Sequence, residues 1–98
     1  MTISNTMNSN ELTVSLSGRL DTTTAPQLEA ELKTSLTGVN SLIMDFAELE
    51  YISSAGLRVL LSAQKVMNKQ GIMVIRHANE TILEVFEVTG FTDILTVV

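Results

Sequence analysis

The sequence predicts a single α/β domain built on a mixed, mostly parallel sheet with an antiparallel hairpin at its N-terminal edge. Three observations predict it. Short apolar runs alternate with amphipathic stretches of helical period, the signature of strands joined by helical crossovers. The first two extended stretches are separated only by "NSN" (Asn8 to Asn10), a turn-forming triplet. The chain has 98 residues, of which 45% are hydrophobic, enough for one core. The expected order over residues 1–98 is β-β-α-β-α-β-α-β.

Each element has a local reason. Ile3, Asn5 and Met7 alternate with Thr2, Ser4 and Thr6, and Leu12, Val14 and Leu16 resume the alternation after the turn. A hairpin with one buried and one polar face is expected, ended by "SGRLD" (Ser17 to Asp21). In "TTTAPQLEAELKTSLTG", Pro26 suits a first helical turn, and Gln27 stands in capping-box relation to Thr24. Leu28, Leu32 and Leu36 then recur every four residues up to Gly38. "SLIMDF" (Ser41 to Phe46) is short and nearly all apolar, like a strand covered on both faces. "SSAGLRVLLSAQKVMNKQG" is a second helix, striped by Leu57, Leu60, Leu61, Gln64 and Met67, widened by Val59, Ala63 and Val66, and stopped by Gly71. "IMVIRH" (Ile72 to His77) reads as another buried strand. "NETILEVFEVTG" (Asn79 to Gly90) has a polar cap, an apolar side and a terminal glycine, and "ILTVV" (Ile94 to Val98) reads as a last strand.

Composition removes whole classes of function. The formal net charge is −5, from six Lys and Arg against eleven Asp and Glu, which disfavours nucleic acid and anionic membrane surfaces and favours a basic partner. There is no cysteine and one histidine, so neither a disulfide framework nor a transition-metal site is expected. No apolar run approaches the roughly 20 residues of a membrane span. "MTISNTMNSN" has neither the basic flank nor the apolar run of a signal peptide, so a cytoplasmic protein is expected. No phosphate-binding "GxxxxGK[ST]" occurs, and no cofactor is implied.

The stretch "EYISSAGLRVLL" (Glu50 to Leu61) stands out. Ser53, Ser54, Ala55 and Gly56 put two hydroxyls and almost no bulk where a strand enters a helix. Serine is a good N-cap, but one cap explains one serine. Gly56 falls in a first helical turn, where glycine costs up to about 1 kcal/mol relative to alanine, so something must approach closely there. In an open α/β sheet such a loop lies at the ligand-binding edge. A phosphoryl group on this hydroxyl would meet free amides and the positive end of the helix, and Arg58, one turn after Ser54, could pair with it.

"GRLDTTTAPQLEAEL", "MDFAELEYISSAGLRVLL" and "VTGFTDIL", in that order, resemble a STAS domain of the bacterial anti-sigma factor antagonist family over nearly the whole chain. The resemblance implies a partner-switching protein. In that family the unphosphorylated antagonist binds an anti-sigma factor or switch kinase with a histidine-kinase-like ATP-binding fold. Serine phosphorylation releases it, and a PP2C-type phosphatase restores it. Aligning Gly56-Leu57 with the family's Asp–Ser–Ser/Thr–Gly–Leu puts Ser54 at the phosphoacceptor, Ala55 at the second hydroxyl and Ser53 where the family has Asp. Ser53 therefore stands as a minor alternative acceptor. Asp21 and Thr22 correspond to the family's loop near the phosphoserine and the partner; Asp21 also reads simply as a turn residue before a helix. Partner contact is thus expected at Asp21, Thr22, Ser53, Ser54, Ala55, Gly56 and Arg58, with Arg19 either solvated or bordering the same surface. The domain is expected to be monomeric when free.

Two other readings compete. Strand, serine, helix is the outline of a hydrolase elbow, with His77 expected at the same sheet edge, but "ISSAG" lacks the glycine two residues before the serine. Alternatively, a STAS domain can serve as an unphosphorylated structural subunit of a transport or stress-sensing assembly.

Overall fold

A computed structural model describes all 98 residues. The strands are β1 (Thr2–Asn8), β2 (Glu11–Leu20), β3 (Ser41–Ile52) and β4 (Ile72–Arg76), and the helices are α1 (Ala25–Ser35), α2 (Ser54–Gln70) and α3 (Glu80–Thr89). The sheet order is β1-β2-β3-β4. β1 runs antiparallel to β2, β2 and β3 are parallel, and β3 and β4 are parallel. The α/β class and the N-terminal hairpin follow the sequence pattern.

The core is made where the periodicities meet. Leu12, Val14, Leu16 and Leu20 of β2 and Leu42, Met44, Phe46, Leu49 and Ile52 of β3 are buried with Leu28 and Leu32 of α1 and Leu57, Leu60 and Met67 of α2. α1 and α2 pack together, α2 lies against β3 and β4, and α3 lies against β3. No helix is long and apolar enough to cross a membrane.

Several local expectations are corrected. The last strand does not form. A 3-10 turn at Phe91–Asp93 draws the amides of Ile94 and Leu95 onto the Phe91 carbonyl, leaving one bridge between Ile75 and Val97. The hairpin's outer strand is hardly buried: Ile3 is half-covered and Met7 is 52% exposed, because β1 is the edge of the sheet. β4 buries Met73 and Ile75 but leaves Ile72 and Arg76 exposed. Gly18 does not end β2. It sits inside the strand at a register shift, and β2 and β3 stay paired as far as Leu20 and Ile52. The capping box at α1 is also absent, since the Thr24 hydroxyl donates to the Arg19 carbonyl and accepts from the Asp21 amide instead. Gly71 does stop α2, as its C-cap, and it has a packing role besides. A Cβ there would lie 1.8 Å from the Asn40 carbonyl oxygen, so only glycine lets the two backbones touch.

Candidate functional site

Past the point where β4 stops, β3 runs on for seven residues and β2 for five, since Asp45 pairs with both Arg76 and Ser15 while β3 continues to Ile52 and β2 to Leu20. Their shared end carries two loops side by side. One is Asp21–Thr24, leading into α1; the other is Ser53, leading into α2. The amide of Ser53 donates to the Leu20 carbonyl at 2.9 Å and locks the two together.

The first loop is organised by one carboxylate. Asp21 Oδ1 accepts from the Thr23 amide (3.0 Å), the Thr23 hydroxyl (2.8 Å) and the Thr24 amide (3.2 Å). The Thr23 hydroxyl bond foremost, aided by the two amides, holds the Asp21 carboxyl below the usual carboxylate range. Asp21 thus acts as the turn residue, and its other oxygen lies 3.7 Å from Arg19 Nε. Arg19 in turn lies over the Tyr51 ring, 4.4 Å from its centroid. Register places them there, because Arg19 and Tyr51 are paired across β2 and β3. Tyr51 was not singled out in the sequence; the signal lay in the pairing, which only parallel alignment of the two strands reveals.

The two serines are not equivalent. Ser53 occupies the N-cap position of α2 with extended backbone, yet its hydroxyl makes no cap bond. Its Oγ is buried and has no hydrogen-bond partner in the protein. Ser54, the first helical residue, is exposed. It stands at the N-terminus of a helix of 17 residues, whose first amides have no intrahelical acceptor.

The small residues divide in the same way. Ala55 is half-buried and lines a shallow groove with Thr22, Pro26, Glu29, Arg58 and Val59, at the seam of α1 and α2. Thr22 and Arg58 are exposed there, so the structure brings Thr22, Ala55 and Arg58 together, with Ser54 the residue before Ala55. Gly56 does not belong to that surface. It is buried, and a Cβ on it would lie 2.7 Å from Leu20 Cγ and 2.9 Å from Ile52 Cγ1. The close approach read from the sequence is real but points inward: Gly56 lets the first turn of α2 sit down on β2 and β3. Gly56, expected among the partner contacts, is thus placed beneath the surface and not on it.

His77 lies elsewhere. Its Nδ1 is 2.9 Å from Asp45 Oδ1, with the residue in a left-handed backbone conformation (φ 64°). That bond, with the Ala47 amide, holds the Asp45 carboxyl below its ordinary range. At about 3.3 Å per strand residue, Asp45 is on the order of 20 Å from the far end of β3. No histidine therefore stands beside Ser54, and the hydrolase geometry is not assembled.

The exposed Ser54 thus stands at the N-terminus of α2, next in sequence to Ala55 of a groove between two helices at the strand ends. Residues 3–97 match the family model described as "Mlab, STAS domain", and the chain belongs to the STAS domain family. Relatives named as anti-sigma factor antagonists are among its matches, and such antagonists are regulatory binding proteins rather than enzymes. BtrV of Bordetella bronchiseptica, named as a candidate anti-sigma factor antagonist, is 42% identical over 84 residues, covering 84% of this chain and 72% of that protein. The anti-sigma-B factor antagonist of Bacillus subtilis is 28% identical over 91 residues, covering 92% and 84%. Among solved structures, an anti-sigma factor antagonist from Mycobacterium paratuberculosis superposes with a TM-score of 0.89 at 22% identity, covering 98% of this chain and 83% of that one. The antagonist SpoIIAA in its unphosphorylated form gives 0.77 at 19% identity, covering 99% and 87%. The phosphorylated form of Bacillus SpoIIAA also gives 0.77, at 20% identity, covering 99% and 91%.

Proposed function

We propose that this domain is an anti-sigma factor antagonist that works by partner switching in the cytoplasm. Unphosphorylated, it binds an anti-sigma factor or switch kinase with a histidine-kinase-like ATP-binding fold. Phosphorylation of Ser54 releases it, and a PP2C-type phosphatase restores the binding form. One observation carries the choice of residue: Ser54 is exposed at the start of a long helix, whereas the hydroxyl oxygen of Ser53 is buried. A kinase can reach the first and not the second. Thr22, Ala55 and Arg58 form the rim that the partner covers, with Arg58 one helical turn away to receive the phosphate. Asp21 shapes the loop and Gly56 seats the helix.

The phosphate acts on the complex more than on the fold. Near free helix amides it interacts favourably with the domain by about 0.3–1 kcal/mol. Buried unpaired in an interface, a charge costs about 2–5 kcal/mol. At about 1.4 kcal/mol per tenfold, the complex weakens from tens-fold to several thousand-fold. The test is intact-mass measurement after incubation with a purified anti-sigma factor of this ATP-binding fold and ATP. One added phosphate on the wild type and none on Ser54→Ala supports the switch. No added phosphate, with binding retained, would favour an unphosphorylated structural subunit.

A further inference from the structure

From the outer edge of the sheet we infer that β1 is a self-association strand, through which two copies pair antiparallel into one continuous sheet of eight strands. β1 is an edge strand, bonded to β2 on one side only. The outward N–H and C=O groups of such a strand are a ready template for another strand. Proteins usually defend such edges with lysine, proline, inward charges or bulges. Here none is present: residues 1–10, "MTISNTMNSN", contain no charged residue and no proline, in a chain with 17 charged side chains. The β1–β2 register is uninterrupted from Thr2 to Asn8, so no bulge twists the edge away.

A second copy is the occupant because β1 is complementary to itself. In an antiparallel pair, outward-facing groups belong to alternate residues, so two identical edges mate only if paired residue numbers add to an even sum. The sum of 10 overlaps the whole of Thr2–Asn8 and places Asn5 on the two-fold axis. Within Thr2–Asn8 it alone among the neighbouring even sums sets apolar against apolar, Ile3 of one copy facing Met7 of the other. A sum of 8 faces Ile3 with Asn5, and a sum of 12 faces Asn5 with Met7. Pairing would thus cover the exposed Met7 with the residue that already packs on the core. On the opposite face Ser4 meets Thr6, with no like charges opposed. The Asn5 amides do not collide at the axis, since each reaches over its own α1 to donate to Glu31 and Ser35.

The pairing supplies roughly six to eight backbone hydrogen bonds by the alternation rule. Seven residues a side bury less than the roughly 1,200–2,000 Å² of a stable interface, so the dimer is weak and concentration-dependent. It revises the expectation of a monomer, which took no account of an open edge. Ser54 lies at the ends of β2 and β3 and needs no contact with β1, so this inference stands apart from partner switching.

The test is sedimentation of the full chain from about 10 μM to about 1 mM, at or above 0.15 M salt so that the two acidic copies are screened within about 8 Å. The mass should rise from 10.7 kDa toward twice that value. Ser4→Lys with Thr6→Lys sets lysine against lysine twice across the axis and should weaken pairing by about tenfold or more. Mixing that variant with Ser4→Glu/Thr6→Glu should restore it. Asn5→Cys gives a register readout that needs no lysine variant to fold, because the chain has no other cysteine. On mild oxidation it should cross-link far faster than a control cysteine at the exposed Thr92. A constant 10.7 kDa mass at all concentrations, a dimer indifferent to the lysines, or equal cross-linking of the two cysteines overturns the inference.

Discussion

Gly56→Ala adds one methyl group and should destabilise the domain, although alanine is the better helix former. The added Cβ would lie 2.7 Å from Leu20 Cγ, 2.9 Å from Ile52 Cγ1 and 3.1 Å from Leu20 Cδ2. Real Cβ atoms do not approach other carbons so closely, so something must move. Leu20 is 0% and Ile52 1% exposed, and the nearest clashing atom is the branch carbon of Leu20, so both side chains are packed in with little room to turn. Overpacking of this kind costs about 1–3 kcal/mol, against a helix-propensity gain of at most about 1 kcal/mol. Even with the full propensity gain, the net loss reaches about 2 kcal/mol, or up to about 15 °C in Tm for a domain of this size. Thermal and urea unfolding followed by circular dichroism measure it. A double-mutant cycle then assigns the cause. Leu20→Ala removes two of the three offending atoms, so Gly56→Ala should cost about 0.5–2 kcal/mol less in that background. An unchanged or raised Tm for Gly56→Ala, or an identical cost with and without Leu20, would refute inward packing as the reason for this glycine.

Other outcomes can be checked alongside. Ser54→Asp should abolish binding to the anti-sigma partner in a pull-down while shifting Tm by no more than a few degrees, since Ser54 is exposed; a large loss of stability would undermine a switch confined to the complex. Asn79→Ala should cost about 1–2 kcal/mol in urea unfolding, because this N-cap accepts from the Ile82 amide at 2.9 Å and also donates to the Leu49 carbonyl. Ser53→Ala, at the matching position of α2, should cost well under 1 kcal/mol, since its buried hydroxyl makes no bond to lose. Asp45 has its folded pKa depressed, first by the His77 bond and then by the Ala47 amide. Its contribution is therefore present above the unfolded value of about 3.9 and lost as pH falls through the lower folded value. Stability of Asp45→Asn measured from pH 5 to pH 2 should fall less steeply than that of the wild type; parallel curves would count against the His77 bond.

The junction of β3 and α2 is built on contrasts between adjacent residues of similar chemistry. Ser53 and Ser54 carry the same side chain, yet one hydroxyl is closed off beneath the loop and the other faces outward. Ala55 and Gly56 both lack bulk, yet one lines the groove and the other rests on Leu20 and Ile52. At the start of a helix each residue turns about 100° from its neighbour, so neighbours must face different surroundings.

The sequence by itself determined the class of each main element and the place of the serine pair where β3 enters α2. Burial repeats every second residue in a strand and near every third or fourth in a helix, and side-chain type records that repeat locally. Leu12, Val14 and Leu16 therefore announced β2, and the Leu57-to-Met67 stripe announced α2. Only the tertiary structure decided what those elements meet. β3 runs on past Phe46 to Ile52 because β2 lies beside it, Arg19 finds Tyr51 because of that register, and Thr24 gives up a capping box because the Arg19 carbonyl is within reach. The final apolar stretch makes a single bridge because a 3-10 turn claims its amides first. These outcomes depend on groups distant along the chain or on competing backbone acceptors, and a local pattern of side chains carries no record of either.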